Sequence, residues 1–178
     1  MLLCLDLATL TGFCHGAGDT GELPTIGSYR LPSTGDDLGR FLRTYRTWLT
    51  ELLAGVEPEL VVYESPVLHN STSLITVRKL NGLCGVTELV VGDLNADYRR
   101  QGVAEIELAE VSPTSVKKAL TGNGRAEKAD MIAAARLYGL NPACSDEADA
   151  FGVWLLTVRK WFPALAHHWD PLTQGRAA

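Results

Sequence analysis

The chain of 178 residues has no apolar run long enough to cross a bilayer as a helix, which sets aside a membrane-spanning role. It has no basic segment ahead of its apolar N-terminal stretch MLLCLDL, and Asp6 interrupts that stretch; a signal peptide is not expected, and a cytosolic location is. The four cysteines, Cys4, Cys14, Cys84 and Cys144, form no Cys-x-x-Cys pair, which excludes a zinc knuckle and leaves buried free thiols as the expectation. The histidines His15, His69, His167 and His168 lack the spacing of a zinc-binding helix, and the adjacent pair falls in a segment expected to be a solvated tail. Positive charge is also short. Lys and Arg number 16 against 21 Asp and Glu, a net charge of −5, which argues against a generic polyanion binder. Any contact with nucleic acid then requires basic residues concentrated in one place.

What is present reads as one domain with no internal repeat and no dividing linker, long enough to bury a proper core. LLCLDL is a short buried strand, and after a Thr11-Gly12 turn signal the chain continues as a second; residues 25–31 alternate as a third. Asp36 or Asp37 caps a helix whose apolar positions run from Leu38 to Leu53 and which ends near Gly55. Leu60 to Tyr63 form a buried strand closed by Glu64-Ser65-Pro66. Residues 73 to about 91 are helical, and Gly82 and Gly85 on that segment suit either close helix approach or loop points. Residues 106–111 form a fifth strand, and Ser112-Pro113 opens a helix with Ser112 as N-cap. A break at Thr121–Gly124 follows, then helices over 126–138 and from Ser145 to about Trp161. The order β-β-β-α-β-α-β-α-α predicts an α/β fold, a mixed five-stranded sheet flanked by helices over residues 1–162, with 163–178 as a loosely ordered tail.

The acids stand at telling places. Asp6 ends the first strand and Glu64 the fourth; if the two strands are parallel neighbours, both emerge at the strand ends where open α/β sheets bind ligands. Asp146 and Asp149 share a face of the last helix. Taken singly, Asp6 reads as a solvated strand end, Glu64 as the start of a turn and Asp146 as a partner for the helix dipole. Taken together, four converging carboxylates would repel and raise one another's pKa, a conflict that a pair of Mg²⁺ or Mn²⁺ ions removes. The basic residues gather in SVKKALTGNGRAEK, which sets Lys117, Lys118, Asn123, Arg125 and Lys128 around a Gly-x-Gly loop; Arg78 and Lys79 make a smaller patch. That loop suits a nucleic-acid backbone, or equally a solvated helix pair with a turn between.

Four pieces in order, LCLDLATLTG, VVYESP, SPTSVKKALTGNGRAEK and SDEADAFGVWL, together resemble the RuvC-type Holliday-junction resolvases of the ribonuclease H-like superfamily, in a phage or bacterial RuvC-like branch. The resemblance runs from Met1 to about Thr157. It implies that Asp6, Glu64, Asp146 and Asp149 are catalytic metal ligands, with Asp6 bridging two ions, and that Lys117 and Lys128 approach DNA. It further implies a homodimer joined through the helix after Glu64, and symmetric nicking of four-way junctions or related branched DNA by two-metal hydrolysis, leaving 5′-phosphate and 3′-hydroxyl ends. The chain departs from the family in its acidic net charge and in Val67, which stands where bacterial relatives carry an aromatic ring to stack on bases; His69 is the nearest ring.

Three other readings compete. A different ribonuclease H-like nuclease, acting on flaps or RNA–DNA hybrids, would share the carboxylates. An ATP binder of the sugar-kinase or actin type would share DLATLTG but needs two such lobes, and 178 residues supply one. A non-catalytic branched-DNA binder gains nothing from four carboxylates facing a polyanion.

Overall fold

The structure, a computed structural model, describes residues 1–67, 71–164 and 169. His69, His167, His168 and most of the expected tail lie outside the described residues. Five strands, β1 (Leu2–Asp6), β2 (Leu10–Gly16), β3 (Thr25–Arg30), β4 (Leu60–Glu64) and β5 (Glu107–Val111), form one sheet in the order β3-β2-β1-β4-β5. The first three pair antiparallel as a meander, while β1–β4 and β4–β5 are parallel. The helices are α1 (Leu38–Val56), α2 (Leu74–Gln101), α3 (Pro113–Thr121), α4 (Lys128–Leu137) and α5 (Ser145–Trp161). This is the mixed α/β arrangement that the strand and helix periodicities predict. Among the described residues no helix is long and apolar enough to cross a membrane.

Strand alternation splits the core into two layers. Leu3 and Leu5 of β1 and Val61 and Tyr63 of β4 face α1 and α2, in a cluster with Phe41, Tyr45, Leu49 and Leu83. Leu2 and Cys4, with Leu60 and Val62, face the other way, onto Phe151, Trp154, Leu155 and Val158 of α5. Asp6 and Glu64 continue this second row by the same alternation, so both belong to the α5 side of the sheet. Helix α5 is sandwiched between the sheet and α3 and α4, and so is buried on most of its circumference. Burial and the Thr157 hydroxyl act in opposite directions on Cys4, and burial dominates, pushing its thiol to about 12. Cys14 is raised by the same desolvation, so both are inert core residues. Cys84 and Cys144 are free and only half-buried, against the expectation of full burial.

Local chemistry sets the ends. Asp37, of the two acids considered, caps α1 by accepting from the Arg40 N–H at 2.9 Å. Ser112 caps α3, with Pro113 in its first turn, and Gly122 closes it in the left-handed region at φ 78°. Helix α4 begins two residues later than its apolar pattern, because Glu127 and Asp130 form a reciprocal capping box ahead of it. Two expectations need correction, and one open choice is settled. Thr11 and Gly12 are not a turn; they lie inside β2, and the turn occupies the residues before Leu10. Helix α2 runs ten residues past Val91, to a left-handed Gly102 cap. Its polar extension is anchored to the chain entering β5: the Asn95 side chain donates to the Ile106 carbonyl at 2.8 Å and accepts from its N–H at 2.7 Å. Gly82 and Gly85 are both helical. A methyl group on Gly82 would meet Leu42 of α1 at 2.8 Å, so this glycine serves packing within the chain, whereas Gly85 faces open space. At the C-terminal end, Trp169 is buried and meets Trp154 edge-on, with ring centroids 4.6 Å apart.

Candidate active site

The parallel pairing aligns Leu5 with Tyr63, so the next residue of each strand, Asp6 and Glu64, emerges at the same sheet edge. Helix α5 runs back across β1 and β2. Trp154 Nε1 reaches the Gly16 carbonyl at 3.4 Å, and Thr157 Oγ1 lies 3.8 Å from Cys4 Sγ. That path sets the first turn of α5, with Asp146 and Asp149, beside the end of β1. The four acids line one cleft of about 450 Å³. Pro113, Thr114 and Lys117 of α3, Gly124, Lys128 and Met131 form the opposite wall, and Ala8 and Val67 stand at the sheet edge.

The acids feel one another. Asp6 is raised well above the ordinary carboxylate range, first by burial, then by Glu64, Asp149 and Asp146 in turn, with Lys128 opposing. Burial and Asp149 raise Glu64 to about 7, against the pull of Lys117. Burial and Asp146 raise Asp149 to about 6, with Lys117 and Lys128 opposing. Two lysines therefore offset part of a negative charge that four acids share. Among the described residues, no three His, Cys, Asp or Glu side chains are gathered tightly enough to enclose an ion as they stand. The donor set nonetheless fits one kind of guest. Carboxylate oxygens alone, mutually repelling and open to water on one side, suit a hard divalent cation and offer nothing to a soft one.

The other predicted contact residues divide. Lys118 and Arg125 are exposed on the outer side of α3 and its loop. Asn123 accepts from the Arg125 N–H at 3.0 Å through its side-chain carbonyl, which holds the glycine loop in shape, and it lines a separate groove between α3 and α4. Arg78 is exposed on α2, while the Lys79 ammonium lies 5.0 Å from the centre of the Phe41 ring, beside Thr9 rather than in the acidic cleft. Val67 is 53% exposed at the cleft margin and presents no ring there.

Two residues of the site escape the sequence pattern. Gly12 pairs with Asp6 across β1–β2. A methyl group on it would collide with the Asp146 carbonyl and lie 3.2 Å from the Glu147 nitrogen, so only glycine lets the start of α5 rest on the sheet here. Glu147, which stands between the two aspartates in sequence, is buried. Its signal was an acid at an inward-facing helix position, inside a run where apolar residues are the rule.

No family model matches the chain. Among curated proteins, a crossover junction endodeoxyribonuclease RuvC of Rubrobacter xylanophilus is 33% identical over 160 residues, covering 86% of this chain and 82% of the relative. The RuvC of Anaeromyxobacter dehalogenans is 49% identical over 51 residues, so this chain spans 28% of that relative's length in the match. Of solved structures, T. thermophilus RuvC in complex with Holliday junction substrate aligns with a TM-score of 0.69 and 19% identity, over 92% of this chain and 96% of that one, a likeness of fold.

Proposed function

The chain belongs to the RuvC family of crossover junction endodeoxyribonucleases, and from that premise we propose that it hydrolyses phosphodiester bonds in four-way DNA junctions at the acidic cleft. The observation that carries this reading is that Asp6, Glu64, Asp146 and Asp149 line one cleft together with Lys117 and Lys128. In this reading Asp6, at the end of the central strand of the sheet, would hold Mg²⁺ or Mn²⁺, two ions per site, together with Glu64, Asp146 and Asp149. Bound there, the cations would supply Lewis-acid stabilisation of charge on the attacking and leaving oxygens. The protein side chains do the rest. Lys117 and Lys128 face the scissile phosphate and offset the negative charge that grows on it during in-line displacement. Lys118 and Arg125, on the exposed loop side, take the flanking backbone phosphates.

Two opposed strands require two sites, and the outer face of α2 is suited to join them. Leu74 is 73% and Leu89 53% exposed on that helix, and Gly85 and Gly92 between and beyond them are open to close approach. An acidic chain then binds DNA through a local basic patch rather than through net charge, so its affinity falls steeply with salt. The test is a panel of mobile four-way junction, flap, linear duplex and RNA–DNA hybrid with Mg²⁺ or Mn²⁺. Paired nicks in the junction, absent from the duplex, are expected. Preferential cutting of the flap or hybrid would overturn the junction assignment.

A further inference from the structure

We propose that Glu147 is a positioning residue that holds the Asp146–Asp149 arm of the cleft at its distance from Asp6 and so sets the affinity of the site for a divalent cation; this rests on the reading of the cleft given above. Glu147 is 8% exposed. One carboxylate oxygen accepts from the Ser28 hydroxyl of β3 at 2.9 Å, and the other from the Ala143 N–H in the loop entering α5 at 2.7 Å. Cys144, at the N-cap of α5, makes no side-chain capping bond, so the glutamate serves that end of the helix from within its first turn. Local capping needs only the Ala143 contact. The Ser28 contact does something further, tying the helix to a strand 119 positions away in sequence.

The first turn of α5 is therefore fixed at three points: Gly12 of β2 lies against the Asp146 backbone, Ser28 holds it from β3, and Ala143 holds it from the loop. Asp146 and Asp149, on either side of Glu147 in sequence, line the cleft. Asp146 and Asp149 repel each other and Asp6, and the Glu147 bonds hold the turn in place against that repulsion. A buried carboxylate is tolerated here because both of its oxygens are engaged.

The role is one of hydrogen bonding, which makes it separable. In Glu147→Gln the side-chain carbonyl still accepts from Ala143, and the amide donates to the Ser28 oxygen, a hydroxyl that serves equally as acceptor. In Glu147→Ala both partners are left unmet. The experiment is isothermal titration of the metal-free full chain with Mn²⁺, for wild type, Glu147→Gln, Glu147→Ala, Ser28→Ala and Asp146→Asn, with thermal unfolding of each in EDTA. Glu147→Ala is expected to weaken Mn²⁺ binding about 10-fold or more, on the scale seen when groups supporting metal ligands are removed. Ser28→Ala should weaken it less, and Glu147→Gln should stay within roughly threefold of wild type. Wild-type affinity in folded Glu147→Ala would overturn the proposal, as would a Gln variant as impaired as the Ala variant. If Glu147→Ala does not fold, Ser28→Ala decides, and wild-type affinity there overturns it. The Asp146→Asn arm probes the cleft itself: unchanged binding in that variant would overturn the metal reading whatever the Glu147 variants do.

Discussion

The two faces of the sheet solve different problems with the same strands. On the α1–α2 face, Leu3, Leu5, Val61 and Tyr63 meet an aliphatic and aromatic layer, and the buried hydroxyls of Tyr45 and Thr87 there satisfy each other at 2.8 Å. On the α5 face the same strands end in Asp6 and Glu64, a glycine lets a helix terminus touch the backbone, and a buried glutamate ties that terminus in place. Both faces store stability in a buried apolar layer. The acidic end of the α5 face surrenders some of it, since desolvation and like charge disfavour the ionised acids. Substitutions in the α1–α2 layer should therefore unfold the protein without altering its chemistry, and substitutions at the acidic end of the α5 face should do the reverse.

The largest effect on stability is expected on the packing face. Leu49→Ala, at a fully buried site of α1, should lower unfolding free energy by about 2–5 kcal/mol in a urea titration, while the folded fraction cleaves a junction at the wild-type rate. A proportionate loss of catalysis would erase the distinction between the faces. Next comes Gly12→Ala on the α5 face. The added methyl displaces the Asp146 backbone, and a misplacement of about 1 Å can lower a rate roughly 10²-fold. Single-turnover junction cleavage should fall on that scale, with secondary structure by circular dichroism retained.

Much of this contrast was legible in the sequence. Continuous apolar runs in LLCLD and LVVYE located both central strands, and the acids at their ends located the sheet edge. The family pattern brought in α5. What could not be read was contact between distant segments. Gly12 passed for a turn residue because a glycine needed for close approach looks the same as one needed for a bend. The polar stretch from Asp93 to Gln101 seemed to end α2, because its anchor is one asparagine bonded to the backbone at Ile106. Glu147 stood out in the sequence only as an acid at an inward-facing position, and its partner Ser28 lies 119 positions away.

The acidic cleft also predicts an inverted pH response. Glu64 and Asp149 ordinarily titrate near 4.5 and 3.8 but lie at about 7 and about 6 in the folded chain. The folded state thus holds protons that the unfolded state has released, and stability from these groups is full below the ordinary values and is lost as pH rises through 6 and 7. Thermal midpoints in EDTA should fall between pH 5 and 8, and millimolar Mg²⁺ at pH 8 should restore much of the loss by binding the folded state alone. A flat profile would remove the electrostatic half of the comparison. The smallest expected effect belongs to the basic wall: Lys128→Ala should weaken junction binding at every sequence and reduce the slope of log affinity against log salt by about 1.

The central claim is that the four-acid cleft, through its cations, cuts branched DNA. It is met most directly by incubating a synthetic mobile four-way junction, beside a linear duplex, with Mg²⁺ or Mn²⁺ and either the wild-type chain or Asp6→Asn. The account predicts junction-dependent nicks from the wild type and none from Asp6→Asn, which still binds the junction. Full cleavage by Asp6→Asn would contradict it.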